Sequence, residues 1–231
     1  TGALVEKIAK AGFFRLRGVL VGTVAFQTYP GLIAARPERH LQTGDIDLAQ
    51  DYGISIALAE SIEPILGEIK EIDPTFREVP HSADSRRSTA FVNAKGYKVE
   101  FLVPNRGSDD NSGKPVVMPA LGAAAQPLRF LDFLIRNPVR SVLLHAGGVS
   151  VSVPAPERYA IHKLIVATRR RDKEKRAKDI GQSGFLIEAM SALHAIEIAD
   201  AWIEAWQRGP KWQESLTQGK AMLPADTVKM L

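Results

Sequence analysis

The chain has 231 residues, of which 45% are hydrophobic and 24% charged, and its formal net charge is +4. These values are typical of a globular protein, and the absence of cysteine excludes disulfides, thiolate metal sites and cysteine nucleophiles. No apolar run reaches the length of about eighteen residues that a membrane span needs, and no signal-peptide pattern is present. We therefore expect a cytoplasmic protein with no membrane partner. Because the first residue is Thr1, we expect a trimmed or processed piece of something longer.

The first third of the chain alternates helical and extended patterns. The spacing of apolar residues predicts, in chain order, a helix over 3–13, a strand over 15–22, a helix over 23–35, a strand over 45–49 and a long helix over 54–72. Thr23 is the expected N-cap of the second helix, and Pro30 is expected to break or kink that helix. A further kink is expected near Pro64 in the long helix.

The middle of the chain is rich in strand patterns, and the last part is helical. Strands are predicted over 76–80, 87–94 and 97–104, and a hairpin over 140–154 is expected to turn at Gly147-Gly148. From residue 155 to about residue 208 the pattern is helical. We therefore predict an α+β protein, with a mixed β-sheet flanked by helices over residues 1–154 and a helical C-terminal domain over residues 155–231.

Two aspartates lie one residue apart on the predicted strand DIDLA. Residues two positions apart share one face of a strand, so Asp45 and Asp47 project together while Ile46 and Leu48 face the core. Neighbouring carboxylates repel each other unless a cation lies between them. Mg²⁺ suits such a site because it takes a few carboxylates together with substrate phosphates. The alternative interpretation is an exposed edge strand that carries two solvated acids.

The turn before the second predicted helix supplies the other half of a site. Gly22 allows a close backbone approach, and a helix that opens at Thr23 offers free N–H groups and the positive end of its dipole to a phosphate. A phosphate at this turn and a metal on the two aspartates together predict a nucleoside triphosphate site.

The segments GVLVGTVAFQTYPG and TGDIDLA resemble the polymerase-β-like nucleotidyltransferase superfamily, which combines a Gly-Ser or Gly-Gly turn, an acid-x-acid strand and a third acid on a neighbouring strand. The chain is most similar to a bacterial branch related to minimal and abortive-infection nucleotidyltransferases, over residues 15–190. Thr23 replaces the usual serine, and the spacing from the turn to the acids is longer than the superfamily norm. The resemblance implies a nucleotidyltransferase fold and two Mg²⁺ ions, or Mn²⁺ in their place.

The resemblance also implies a third carboxylate, for which Glu100 is the candidate. In the strand KVEFLVP, Glu100 lies on the face opposite to that of Val99 and Phe101. Most members of the superfamily have an aspartate there, and the longer glutamate changes the reach of the carboxylate. The alternative interpretation is a surface glutamate that pairs with Lys98, which lies on the same face.

Two lysines complete the site that the resemblance implies. Lys163 matches a helical lysine that contacts the triphosphate in minimal and abortive-infection nucleotidyltransferases, and Lys178 with Asp179 matches a recurring Lys-Asp pair on the next helix. From the residues alone, a lysine among apolar neighbours can instead extend its ammonium into water. The basic run at 169–171 could contact phosphates or RNA, but such a run is more often a solvated helix end whose cations offset the helix dipole.

The leading hypothesis is a nucleotidyltransferase that moves NMP from an NTP to a hydroxyl acceptor on RNA, protein or a small molecule and releases pyrophosphate. The expected catalytic and metal-binding residues are Asp45, Asp47 and Glu100, and the expected nucleotide-binding residues are Gly22, Thr23, Lys163 and Lys178. The alternative is a non-catalytic nucleotide-binding or toxin–antitoxin regulatory protein on the same fold. Scattered histidines and the lack of a G-x-S-x-G motif disfavour zinc enzymes and serine hydrolases.

Overall fold

The computed structural model describes residues 1–37, 43–58, 60–107 and 113–231. The chain forms two compact units, Thr1–Leu32 with Arg39–Pro154 and Ile33–Glu38 with Ala155–Leu231. The assignment of a catalytic and a helical domain to residues 1–154 and 155–231 stays a prediction. No helix in the described ranges combines the length and the apolar character that a bilayer span requires.

The first unit contains all the strands found in the described residues. In chain order these are β1 (Val19–Val21), β2 (Asp45–Ala49), β3 (Arg77–His81), β4 (Asp84–Val92), β5 (Lys98–Pro104), β6 (Val116–Met118), β7 (Ala123–Leu128), β8 (Val139–Leu143) and β9 (Val149–Val153). A separate antiparallel hairpin consists of β8 and β9, as the sequence predicts.

The other strands form one mixed sheet with β5 at its centre. The main path runs in the order β1-β2-β5-β4-β3, and β7 pairs with both β5 and β6. The pairings of β5 with β2 and with β7 are parallel, and the remaining pairings in this sheet are antiparallel. Because a parallel pair needs a crossover connection, β2 and β5 come together across a long intervening segment.

Helices accompany the sheet and make up most of the second unit. They are α1 (Gly2–Lys10), α2 (Gly22–Phe26), α3 (Pro30–Ile33), α4 (Tyr52–Ala57), α5 (Ile65–Lys70), α6 (Leu131–Leu134), α7 (Pro156–Arg169), α8 (Lys173–Met190), α9 (Ala195–Trp206), α10 (Pro210–Lys220) and α11 (Ala225–Val228). The mixed sheet with flanking helices and the helical C-terminal region confirm the predicted α+β fold.

The strand alternation of β2 and β5 places apolar residues on one face and polar residues on the other. Ile46 and Val99 are completely buried, while Asp45, Asp47 and Glu100 are only half-buried. This alternation anchors both strands to the core and places their charged residues together on the opposite face.

The predicted long helix over 54–72 is wrong. The structure has α4 and α5 instead, and Leu58 directly after α4 is extended, with ψ 124°. Pro64 is the N-cap of α5, with ψ 119°. Proline lacks an N–H donor and disfavours helical backbone at the residue before it, so Pro64 starts a new helix rather than kinking an old one.

The predicted N-cap at Thr23 is also wrong. The short helix α2 already begins at Gly22, with Val21 as its N-cap in extended conformation, and Thr23 is buried in the first turn. The predicted break at Pro30 is confirmed, because α3 starts there as a separate element. The short elements β6, β7 and α6 were not predicted from the sequence.

Candidate active site

The pairing of β2 with β5 brings the predicted third carboxylate beside the aspartate pair. In the parallel register Asp47 lies opposite Glu100, and Asp45 lies opposite Lys98. Cross-strand neighbours in register share a face of the sheet, so the carboxylates of Asp47 and Glu100 lie on one side. Thr43, just before the strand, donates a hydrogen bond from Oγ1 to Oδ1 of Asp45.

Gly22 contacts the same acidic face directly. Val21 pairs with Asp47 across β1 and β2, and Gly22 follows it with a positive φ of 67°. A Cβ added at Gly22 would collide with the carboxylate of Asp47. The turn therefore requires glycine for its backbone conformation and for the space that the acid occupies. The two sequence features on which the predicted site depends are thus adjacent in the structure.

Lys98 forms an ion pair with the predicted third carboxylate. Its Nζ lies 2.9 Å from Oε1 of Glu100, and the two side chains are 39% and 25% exposed. The pairing that the alternative interpretation of Glu100 requires is therefore present. It does not decide the role of Glu100, because a half-exposed pair can open when a stronger cation arrives.

The oxygen donors of the acidic face suit a hard divalent cation, but they do not converge as a triad. Within residues 1–37, 43–58, 60–107 and 113–231, no three His, Cys, Asp or Glu side chains are grouped closely enough to hold a metal ion. Mg²⁺ in proteins commonly takes one or two carboxylates and completes its shell with substrate phosphates and water. Asp45 and Asp47 fit that pattern, whereas Glu100 is engaged by Lys98.

Tyr97, next to Lys98, lies within the electrostatic field of the acidic face. Burial raises the pKa of the Tyr97 hydroxyl, and the negative charges of Asp45 and Asp47 raise it further. The hydroxyl forms a 2.6 Å hydrogen bond with Oγ1 of Thr1. Sequence reasoning missed Tyr97 and Thr43, whose only signal is their position directly before the two acidic strands.

In the second unit, Lys163 belongs to a buried ionic cluster between α7 and α8. Its Nζ donates to Oδ1 of Asp179 at 2.6 Å, and Nε of Arg170 donates to Oδ2 of the same carboxylate at 2.9 Å. The Lys163 side chain is 9% exposed and that of Asp179 is 1% exposed. The ammonium of Lys163 therefore does not extend into water, which excludes that interpretation.

The cluster perturbs the proton equilibria of its members. Burial lowers the pKa of Lys163, although Asp179 opposes this effect. Burial alone would raise the pKa of Asp179, but Lys163 and Arg170 hold it below its ordinary value. Burial, together with the charge of Lys163, lowers the pKa of the neighbouring His162 to about 3.

Comparison with known proteins places the chain in a family. A family model described as nucleotidyltransferase matches residues 1–207. The chain belongs to this nucleotidyltransferase family. A crystal structure of an antigenic nucleotidyltransferase-like protein from Paracoccidioides brasiliensis is similar, with a TM-score of 0.39 and 15% identity over 98% of this chain and 96% of that one. No curated protein matches the chain.

The residues predicted for this nucleotidyltransferase fall into two groups. The first unit brings together Gly22, Asp45, Asp47 and Glu100 around one face of the sheet. Thr23 is 5% exposed, so its hydroxyl lies inside the fold rather than on the surface of the turn. Lys163 and the half-buried Lys178 belong to the second unit. The roles assigned to all of these residues stay predictions.

Proposed function

We propose that this nucleotidyltransferase transfers a nucleoside monophosphate from an NTP to a hydroxyl acceptor on RNA, protein or a small molecule. The reaction uses Mg²⁺, or Mn²⁺ in its place. One observation carries the proposal: the carboxylate of Asp47 lies against Gly22 on one side and in register with Glu100 on the other. This is the arrangement expected where a phosphate-binding turn meets a metal-binding strand.

The proposed chemistry is an in-line displacement at the α-phosphorus. The acceptor oxygen forms a bond to the α-phosphorus while the bond to the bridging oxygen breaks, and pyrophosphate leaves with that oxygen. Asp45 and Asp47 would hold the metal-bound triphosphate beside the backbone of Gly22, and Glu100 would accept the proton of the acceptor hydroxyl. A bound divalent cation supplies stabilisation of the charge that develops on the triphosphate oxygens.

The remaining phosphate contacts rest on sequence predictions: that of Thr23 on its position at the turn, and those of Lys163 and Lys178 on the resemblance. Thr23 is buried, so it would act through its backbone N–H rather than through its hydroxyl. Lys163 would have to leave Asp179, to which it donates at 2.6 Å, before its ammonium could bind a phosphate. Lys178 is half-buried on α8, directly before Asp179 in the chain.

A second candidate function is nucleotide binding without transfer, as in a regulatory or toxin–antitoxin protein on the same fold. The ion pair of Lys98 with Glu100 favours it, because the carboxylate expected to accept the proton of the acceptor is already held by an ammonium. The two candidates differ in one measurable product, which is pyrophosphate.

The test measures pyrophosphate release with each of the four NTPs, Mg²⁺ and total RNA or protein as acceptor. We expect Asp45→Asn and Asp47→Asn to abolish release while thermal stability holds or rises, because the repulsion between the carboxylates is relieved. Glu78→Gln on the exposed part of β3 is the matched control and should release pyrophosphate at the wild-type rate. Full activity in Asp45→Asn would refute the proposed mechanism, and NTP binding without release would favour the second candidate.

A further inference from the structure

Four charged side chains form a compact patch on one face of the sheet. Asp45 and Asp47 lie two positions apart on β2, and Lys98 and Glu100 lie two positions apart on β5. The register pairs Asp45 with Lys98 and Asp47 with Glu100, so the patch is two residues long and two strands wide. One ammonium and three carboxylates therefore share this face of the sheet, and the ammonium contacts the carboxylate of Glu100.

Within this patch, the ammonium of Lys98 contacts the carboxylate of Glu100. Its Nζ lies 2.9 Å from Oε1 of Glu100, although a lysine on a strand can also extend away from the sheet into water. The side chain is 39% exposed, so it is neither buried in the core nor fully solvated. Three carboxylates and one ammonium give the patch a formal charge of −2, which a single divalent cation balances.

A second divalent cation at Glu100 would meet this ammonium. It would have to displace Nζ from Oε1 or accept a like charge within a few ångströms of it. The ammonium already performs one task of a second ion, since it neutralises Glu100 and holds its carboxylate in place. Unlike a metal ion, the ammonium does not have to bind from solution, because it is part of the chain.

We propose that Lys98 takes the place of a second metal ion, so that the site loads one divalent cation, on Asp45 and Asp47, together with the triphosphate. This inference rests on the proposed function and refines its two-ion expectation. Lys98 is a positioning residue in this scheme, because it acts through Glu100 and not on the reacting atoms.

The experiment counts Mn²⁺ ions bound in the presence of a non-hydrolysable NTP, from the free Mn²⁺ signal in electron paramagnetic resonance. The wild type is compared with Lys98→Met, which keeps most of the length of the side chain and removes its charge, and with Lys98→Arg, which keeps the charge. We expect one ion for the wild type, two for Lys98→Met and one for Lys98→Arg. The double variant Lys98→Met/Glu100→Gln should return to one ion, because it lacks the carboxylate that binds the second.

Thermal unfolding of each variant establishes that the sheet is intact before ions are counted. Two ions on the wild type would overturn the inference, and so would a Lys98→Met chain that still binds one. A wild type that binds no Mn²⁺ with the nucleotide overturns both this inference and the proposed function. The predicted counts without any pyrophosphate release would support the role of Lys98 and overturn transfer, so the two failures are distinguishable.

Discussion

The two units each contain a lysine–carboxylate pair, and the pairs differ in burial. The pair of Lys98 with Glu100 is half-exposed on a strand face, with 39% and 25% of the side chains accessible. The pair of Lys163 with Asp179 is buried between helices, with 9% and 1% accessible. An exposed pair contributes little stability and can exchange its partner, whereas a buried pair is held by the penalty for separating it. We therefore expect the first pair to exchange partners readily and the second to resist separation.

The strongest test of this contrast is Asp179→Ala. Removing the carboxylate leaves the buried ammonium of Lys163 without compensation, and we expect a loss of about 3–5 kcal/mol in the free energy of unfolding. Urea denaturation of wild type and variant measures it.

The matched control for Asp179→Ala is Asp226→Ala, which removes an acid that pairs with Lys229 on the surface. We expect no measurable change there. A similar loss in the free energy of unfolding for both variants, or no loss for Asp179→Ala, would show that burial does not determine how much an ion pair contributes to stability.

The second test uses pH and His162. The pKa of this histidine is lowered to about 3 in the folded chain, from 6.5. Below pH 6.5 the unfolded state therefore binds a proton that the folded state does not, so stability is fully present above that pH and declines as the pH falls towards 3. We expect His162 to contribute a loss of about 2 kcal/mol between pH 7 and pH 5.

Chemical denaturation of wild type and His162→Gln at both pH values measures this contribution. The glutamine side chain does not titrate in this pH range. The free energy of unfolding of the variant should therefore change less between the two pH values than that of the wild type, and the difference is the contribution of His162. His194→Gln, which alters a more exposed histidine, should retain the wild-type pH dependence. Identical pH dependence in the wild type and His162→Gln would contradict the prediction.

The third test is Gly22→Ala, in the first unit. The added Cβ collides with Asp47 at a positive φ, so we expect a stability loss of about 1 kcal/mol and a larger loss of Mn²⁺ and nucleotide binding. Gly181→Ala in α8 is the control, because nothing lies within 4 Å of a Cβ there. That variant should be neutral or slightly stabilising. Unchanged Mn²⁺ and nucleotide binding in Gly22→Ala would show that the turn is not part of the binding site.

Local rules predicted the strands of the site well. The alternation of DIDLA gives the bounds of β2 and the common face of Asp45 and Asp47, because the two-residue period of a strand is an intrinsic property of its backbone. The contact of Gly22 with Asp47 and the register of Asp47 with Glu100 depend on which strands pair. Strand pairing depends on the whole sheet and cannot be predicted from a short segment of the sequence.

Elements whose formation depends on tertiary packing were predicted less well. The helical spacing of apolar residues over 54–72 continues through Pro64. In the structure the backbone is extended at Leu58 and at Pro64, so this stretch forms two helices, α4 and α5. Likewise, a lysine among apolar residues on α7 does not reveal that its partner is Asp179, sixteen positions later on another helix. A helical pattern identifies the face on which Lys163 lies but not the group that it meets.

The parallel pairing of β2 with β5 also has a consequence for the order of folding. Asp47 and Glu100 meet only after the chain has returned from β3 and β4 and inserted β5 between β2 and β4. A chain emerging from the ribosome therefore carries the aspartate pair well before it has the strand that completes the patch. Closure of the central sheet and assembly of the acidic face are one event, so a partly folded chain cannot display the finished site.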